Sequence, residues 1–149
     1  MADTDRVRRV RLTLFTLEEA NRTSQEIRTE LETLVQAKKE LNLVQSRVGV
    51  LELTLTGATE DNPDARELKV LAARRETLGT RLHHGIVAVQ RRGCIIKDLD
   101  RGLVDFYSLR GDRLIFLCWK LGEREIGHWH PIDAGFDQRR PLGTDDDDD

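Results

Sequence analysis

Residues 16–57 read TLEEANRTSQEIRTELETLVQAKKELNLVQSRVGVLELTLTG, and the period of their apolar positions decides the fold. Ile27, Leu31 and Leu34 open a stripe that Ala37, Leu41, Val44, Val48, Leu51 and Leu55 continue at alternating steps of three and four. That is a heptad seam, and Lys38, Lys39, Glu40 and Arg47 lie off it, so the spacing predicts one helix of about forty residues. Its start is marked by Thr16 and Glu19, which have the S/T-x-x-E spacing of a capping box with Thr16 as N-cap. Gly57 is the expected stop. At ~1.5 Å per residue such a helix is ~60 Å long, more than a compact chain of this size spans.

Downstream, GATEDNP (57–63) reads as a loop, and Asn62-Pro63 supplies an N-cap and a first-turn proline for a second helix. Its stripe is Leu68, Leu71, Leu78, Leu82, Ile86 and Val89, with Arg75 also on it and Gly93 as the stop. Gly79 and Gly85 lie near the stripe and suit either close helix approach or simple tolerance. Two long helices joined by a short loop make an antiparallel hairpin. Such a pair cannot bury both sides of its seam, so either the rest of the chain or a second copy must cover it.

Outside the hairpin the period shortens. Val7 to Phe15 reads as a short strand, with Val10, Leu12 and Leu14 on one face and Arg9, Arg11 and Thr13 on the other. After Gly93, Cys94-Ile95-Ile96 and Val104 to Tyr107 read as strands separated by a turn at Gly102, and Arg110-Gly111-Asp112 is a hairpin signal. Leu114 to Trp119 (LIFLCW) is apolar on both faces, as a central strand would be. Glu125 to His130 (EIGHWH) alternates like a returning strand, Pro131 ends it, and the remainder is irregular. The expected class is α+β: a long antiparallel two-helix hairpin (about 16–92) packed with a small, mainly antiparallel sheet (7–15 and 94–131). One domain over 7–142 is followed by an acidic, disordered tail at 143–149.

Composition narrows the function classes. The 149 residues are 38% apolar and 34% charged, as in a water-soluble globular domain. The formal charge is -3, and removing Asp145 to Asp149 gives -3 + 5 = +2. Basic residues are mixed with acids along the helices, which is no nucleic-acid footprint. No run approaches the ~20 apolar residues of a membrane span, and the N-terminus has no secretory h-region, so the expected location is cytoplasmic. Cys94 and Cys118 form no CxxC pair, which fits a reducing compartment, and they read as small core residues. Neither GxxxxGK[ST], GxGxxG nor GxSxG occurs.

Three ordered segments carry a resemblance. Phe15 to Asn21 (FTLEEAN) is the first and Lys97 to Phe106 (KDLDRGLVDF) the second. Leu117 to Glu123 (LCWKLGE), with Glu125-Ile126, Trp129-His130 and Asp133 to Phe136 (DAGF), forms the third. Together they resemble the bacterial family known as domain of unknown function 2203, over roughly Leu12 to Leu142. The family has no established activity to carry over. The resemblance implies an aromatic residue, commonly Tyr, where this chain has His128.

The best candidate for chemistry is His128-Trp129-His130. Side chains two apart on a strand share a face, and two imidazoles with a carboxylate make a zinc, manganese or iron site. Asp98, Asp100, Asp105, Glu123 and Glu125 are the candidate carboxylates for it, with Asp98 and Asp100 preferred and Glu125 ranked below the aspartates because it should face the other way. A second reading is a polar ligand pocket of Asp98, Asp100, Arg101, Asp105, Glu123 and His130, in which the Arg101 fork receives an anion. The alternative for Asp98 to Gly102 is structural, with Asp and Arg capping a glycine turn. His83 and His84 are adjacent on the second helix, so at least one is solvated. Trp119 and Trp129 read as sheet packing.

Two functions compete. One is a self-associating assembly module, a homodimer through the hairpin seam whose β part docks an unknown protein or small anion. The other is a metal-dependent, hydrolase-like enzyme using His128 and His130 with Asp98 or Asp100. The seam extends along the chain whereas the metal set rests on one dipeptide spacing, so the first is the default expectation.

Overall fold

The computed structural model describes residues 12–55 and 62–143. Helix α1 (Leu17–Thr54) and helix α2 (Pro63–Gln90) form the hairpin, followed by strands β1 (Ile95–Asp98), β2 (Leu103–Arg110), β3 (Arg113–Lys120) and β4 (His128–Pro131). A short 3-10 helix (Phe136–Gln138) then leads to a two-residue strand β5 (Arg140–Pro141). The five strands are antiparallel neighbours in chain order. This is the expected α+β architecture. Among the described residues no helix is long and apolar enough to cross a membrane.

The capping box at the start of α1 is complete. Thr16 Oγ1 accepts from the Glu19 N–H at 3.1 Å, and Glu19 Oε1 accepts from the Thr16 N–H at 3.2 Å. At α2, Asn62 Oδ1 accepts from the Asp64 N–H at 2.8 Å, with Pro63 in the first turn. The α1 seam is buried from Ile27 through Leu51, and Leu78, Leu82 and Val89 of α2 pack into the same cluster. Bidentate pairs from Arg74 to Glu40 and from Arg47 to Glu67 brace the two helices. Gly85 permits a close approach of the helices: a Cβ there would lie 2.3 Å from Leu34 Cδ2, whereas one on Gly79 would meet nothing within 4 Å.

The seam is therefore covered within one chain, since α2 and the sheet both pack on α1. Val104, Phe106, Ile115, Leu117, Trp119 and Trp129 of the sheet join the cluster formed by α1 and α2. They alternate along their strands, so one face of the sheet is turned to the helices. In β3 the intervening Phe116 and Cys118 are equally buried on the opposite face. The two-sided apolarity read in LIFLCW is thus real, and something other than helix must cover the second face.

Three local expectations are corrected. Of the strand expected at Val7 to Phe15, residues 7–11 lie outside the described residues and 12–16 are not a strand. Leu12 and Leu14 are about half exposed while Phe15 is buried, opposite to the expected alternation. One backbone bond from the Phe15 N–H to the Tyr107 carbonyl (2.8 Å) holds the segment, and the helix cap follows at once, leaving no room for a ladder. The returning strand is His128–Pro131 rather than Glu125 to His130, because the Ile126 N–H is taken by Asn21 Oδ1 of α1 at 2.8 Å. Pro131 belongs to that strand, opposite Ile115. Beyond it the chain is not irregular: it folds back so that β5 pairs Pro141 with His128 and Arg140 with Trp129. Helix α1 ends at Thr54, and the expected stop at Gly57 and most of the acidic tail (144–149) lie outside the described residues.

Candidate functional site

Register decides what the second face of the sheet carries. Asp105 of β2 stands opposite Cys118 of β3, and Cys118 opposite His128 of β4; Tyr107, Phe116 and His130 form the next row. The polar groups of three consecutive strands therefore gather on the face that the helices do not cover. Asp105, Cys118 and His130 are each 2% exposed or less, so their polar atoms have to find partners among themselves.

They do. His130 Nε2 lies 2.9 Å from Asp105 Oδ2, and His130 Nδ1 lies 2.9 Å from the Pro131 carbonyl. A carbonyl only accepts, so Nδ1 carries a proton and Nε2 faces the carboxyl across a single shared proton. The Cys118 thiol stands beside the Asp105 carboxyl, with the Arg139 guanidinium nearby. One carboxylate oxygen, the sulfur and one imidazole nitrogen lie within 4.8 Å of one another. Burial pushes the Asp105 carboxyl above its ordinary value, against the opposing pull of the His130 ring. Burial, and then the nearby Asp105 charge, push the Cys118 thiol up to about 12, and burial, outweighing the pull of Arg92, pushes Cys94 up to about 11. With both thiols neutral and covered, the folded chain is expected to give no reaction with a disulfide reagent at pH 8. The chain unfolded in denaturant should release two thiols, and labelling of the native protein would contradict this geometry.

The surroundings of the cluster are aromatic and charged. Phe116 sits between the rings of Tyr107 (4.6 Å) and His130 (5.3 Å), with Lys97 Nζ 4.4 Å above it. Phe136, in the 3-10 helix, has Arg139 at 4.4 Å, Arg101 at 5.1 Å and Lys120 at 5.7 Å from its centroid. Glu123 ties this edge together: its carboxylate accepts from the Lys120 N–H at 2.7 Å and from Arg139 at 3.2 Å. His128 Nδ1 is 3.8 Å from Glu123 Oε2, too far for a hydrogen bond, and that buried nitrogen has no partner among the described residues.

Of the residues singled out from sequence, Asp105 and His130 are joined directly, and Glu123 and His128 meet beside them. Asp98, Asp100 and Arg101 stay at the β1–β2 turn with partners of their own. Asp98 Oδ1 caps the Arg101 N–H at 3.2 Å, while Asp100 is turned to α1, where Asn42 Nδ2 (2.7 Å) and Lys38 (3.5 Å) hold it. Gly102 completes that turn at φ +67. Cys118 is the residue that sequence reasoning passed over. Its only signal was the alternation Phe116/Cys118 against Leu117/Trp119, which aims a sulfur at His128-x-His130 once the β3–β4 register is known.

A family model described as "Uncharacterized conserved protein (DUF2203)" matches residues 13–142. No curated protein and no solved structure matches the chain.

Proposed function

The chain belongs to the DUF2203 family of uncharacterized conserved proteins, and on that premise we propose that it is a metal-binding protein whose centre is Asp105, Cys118 and His130. The observation that carries this reading is the closeness and burial of three donors of the types that zinc takes. Charge favours it as well. A divalent ion with one carboxylate, one thiolate and a neutral imidazole sums to zero, which suits a buried position. The Pro131 carbonyl holds the His130 Nδ1–H, an outer contact of the kind that fixes a ligating imidazole and leaves Nε2 as donor.

Asp105, Cys118 and His130 would hold such an ion, which would supply Lewis acidity at this face. The reaction class that a three-ligand set of this kind would support is hydrolysis. Glu123, oriented by Arg139 and the Lys120 N–H, is the nearby carboxylate for proton transfer. Asp98 and Asp100, the carboxylates first considered for the site, serve the turn and α1 in this reading.

The test is cobalt(II) titration of metal-free protein, followed by zinc competition and metal analysis of untagged protein. A thiolate-to-cobalt charge-transfer band that saturates near one ion per chain, and disappears in Cys118→Ser, is expected. Binding without that band, or no binding, would overturn this assignment.

A second observation favours self-association. With the seam filled, Leu43 (74% exposed), Val50 (51%) and Leu53 (82%) form another heptad-spaced line on α1, and Val70 (68%) is bare on α2. A second copy laid along this outer face makes a four-helix contact. Light scattering that finds a dimer in the parent and a monomer in Leu43→Glu/Val50→Glu would support it; a parent that is monomeric throughout sinks it.

A further inference from the structure

We propose that the helix-free face of the sheet binds a small dianionic oxyanion, a phosphate group either free or as a monoester, between Lys97 and Lys120. This concerns the same face as the metal reading but stands on other residues and does not require an ion. Four cations stand over two rings of that face: Lys97 of β1 over Phe116, and Arg101 of the β1–β2 turn, Lys120 of β3 and Arg139 after the 3-10 helix about Phe136. Two carboxylates answer them, Asp98 beside Arg101 and Glu123 on Arg139. The buried Asp105–His130 pair is neutral in sum whichever group holds the shared proton. The balance is four positive minus two negative charges, a surplus of two.

That surplus sits on the lysines. Among the described residues neither Lys97 nor Lys120 has a carboxylate within ion-pair distance. Each ammonium is held over a ring instead, at 4.4 Å from Phe116 and 5.7 Å from Phe136. Lys97 acts on Asp105 only through space. Asp133 and Asp137, between β4 and β5, are exposed and make no ion pair among the described residues. The lysine strands are separated by β2 alone, so their backbones are about 10 Å apart, and two lysine side chains can meet one phosphate across that gap. A dianion matches the surplus; a monocarboxylate leaves half of it unanswered. The flanking rings would lie against the organic part of a monoester.

The experiment is calorimetric titration of the full chain with inorganic phosphate and, separately, phosphoserine, at low and at physiological salt. Metal-free and zinc-treated protein are both used. Saturable binding that weakens with salt is expected, reduced about tenfold in Lys97→Gln and in Lys120→Gln. Lys39→Gln on α1 should bind like the parent. Tighter binding of phosphoserine than of phosphate assigns the site to a monoester, and equal binding assigns it to the free ion. No saturable binding of either probe, or unchanged affinity in both lysine variants when their circular dichroism matches the parent, overturns the proposal. Phosphate bound by protein that takes up no zinc would leave this inference standing without the metal centre, and the reverse result would remove this one alone.

Discussion

Asp105→Asn is expected to abolish metal uptake while leaving the metal-free fold at least as stable as the parent at pH 7. The reason lies in the shared proton. His130 Nδ1 donates to the Pro131 carbonyl, so Nε2 needs either a donor opposite it or a proton of its own. An asparagine amide supplies that donor in the same volume and without a charge. The wild-type carboxyl is held above its ordinary value by burial. Its contribution to stability is therefore present below the unfolded carboxyl pKa of ~3.9 and is lost as pH rises through the higher folded value. Asn removes that pH-dependent loss, so the variant should gain on the parent near pH 7 and converge with it below about pH 4.

His130→Ala differs because it strips the partner and leaves the Asp105 oxygen buried and unanswered, a change that costs about 3–5 kcal/mol. For a chain of this size the melting temperature should fall by on the order of 10 °C. Both variants lose cobalt and zinc, and only one loses stability. If Asp105→Asn retained metal at parental affinity, the carboxylate would not be a ligand. If it melted as early as His130→Ala, the proton arrangement deduced from Pro131 would be wrong.

The largest effect on the fold is expected at Trp119. It is fully buried on the helix-facing side of the central strand, and its Nε1–H donates to the Glu123 carbonyl at 3.0 Å. Truncation to Ala removes a large core side chain, at about 3–5 kcal/mol, and frees the turn that carries the Glu123 carboxylate. Arg28 of α1 reaches the same carbonyl at 3.3 Å, so one backbone oxygen joins helix, strand and site edge. The two tryptophans can be separated by substitution to Phe. Trp119→Phe loses the bond to Glu123, worth about 1 kcal/mol. Trp129 has an indole nitrogen with no hydrogen-bond partner among the described residues, and its ring is flanked by Arg110 at 4.5 Å and Arg140 at 5.3 Å. Trp129→Phe should therefore cost less than Trp119→Phe in thermal unfolding; the reverse order would contradict the role given to the Glu123 carbonyl.

Local rules made much of this protein readable in one dimension. The capping box at Thr16, the seam from Ile27 to Leu51, the Asn62-Pro63 start and the Gly111 hairpin all depend on residues within one or two turns of each other. Their physics is contained in the spacing. The strand boundaries after Lys120 do not share that property. Ile126 leaves the ladder because Asn21, 105 positions earlier, takes its N–H. Strand β5 exists because the chain returns to His128 and Trp129.

The site divides in the same way. Asp105, Glu123, His128 and His130 were legible as residue types suited to chemistry, and sequence spacing put the histidines on one strand. Asp98 and Asp100 had equal standing in sequence, and only the packing of the β1–β2 turn against Asn42 and Lys38 sends Asp100 elsewhere. Cys118 looked like one more apolar position because burial and ligation favour the same residue type. Its alignment with Asp105 on one side and His128 on the other is a matter of register across β2, β3 and β4, with a seven-residue connection, 121–127, between the last two. Sequence by itself determined the helices, their caps and the class of fold, because those follow from neighbours along the chain. The buried triad of carboxylate, thiol and imidazole was decided by the tertiary structure, because cross-strand pairing is set by contacts between residues remote in sequence.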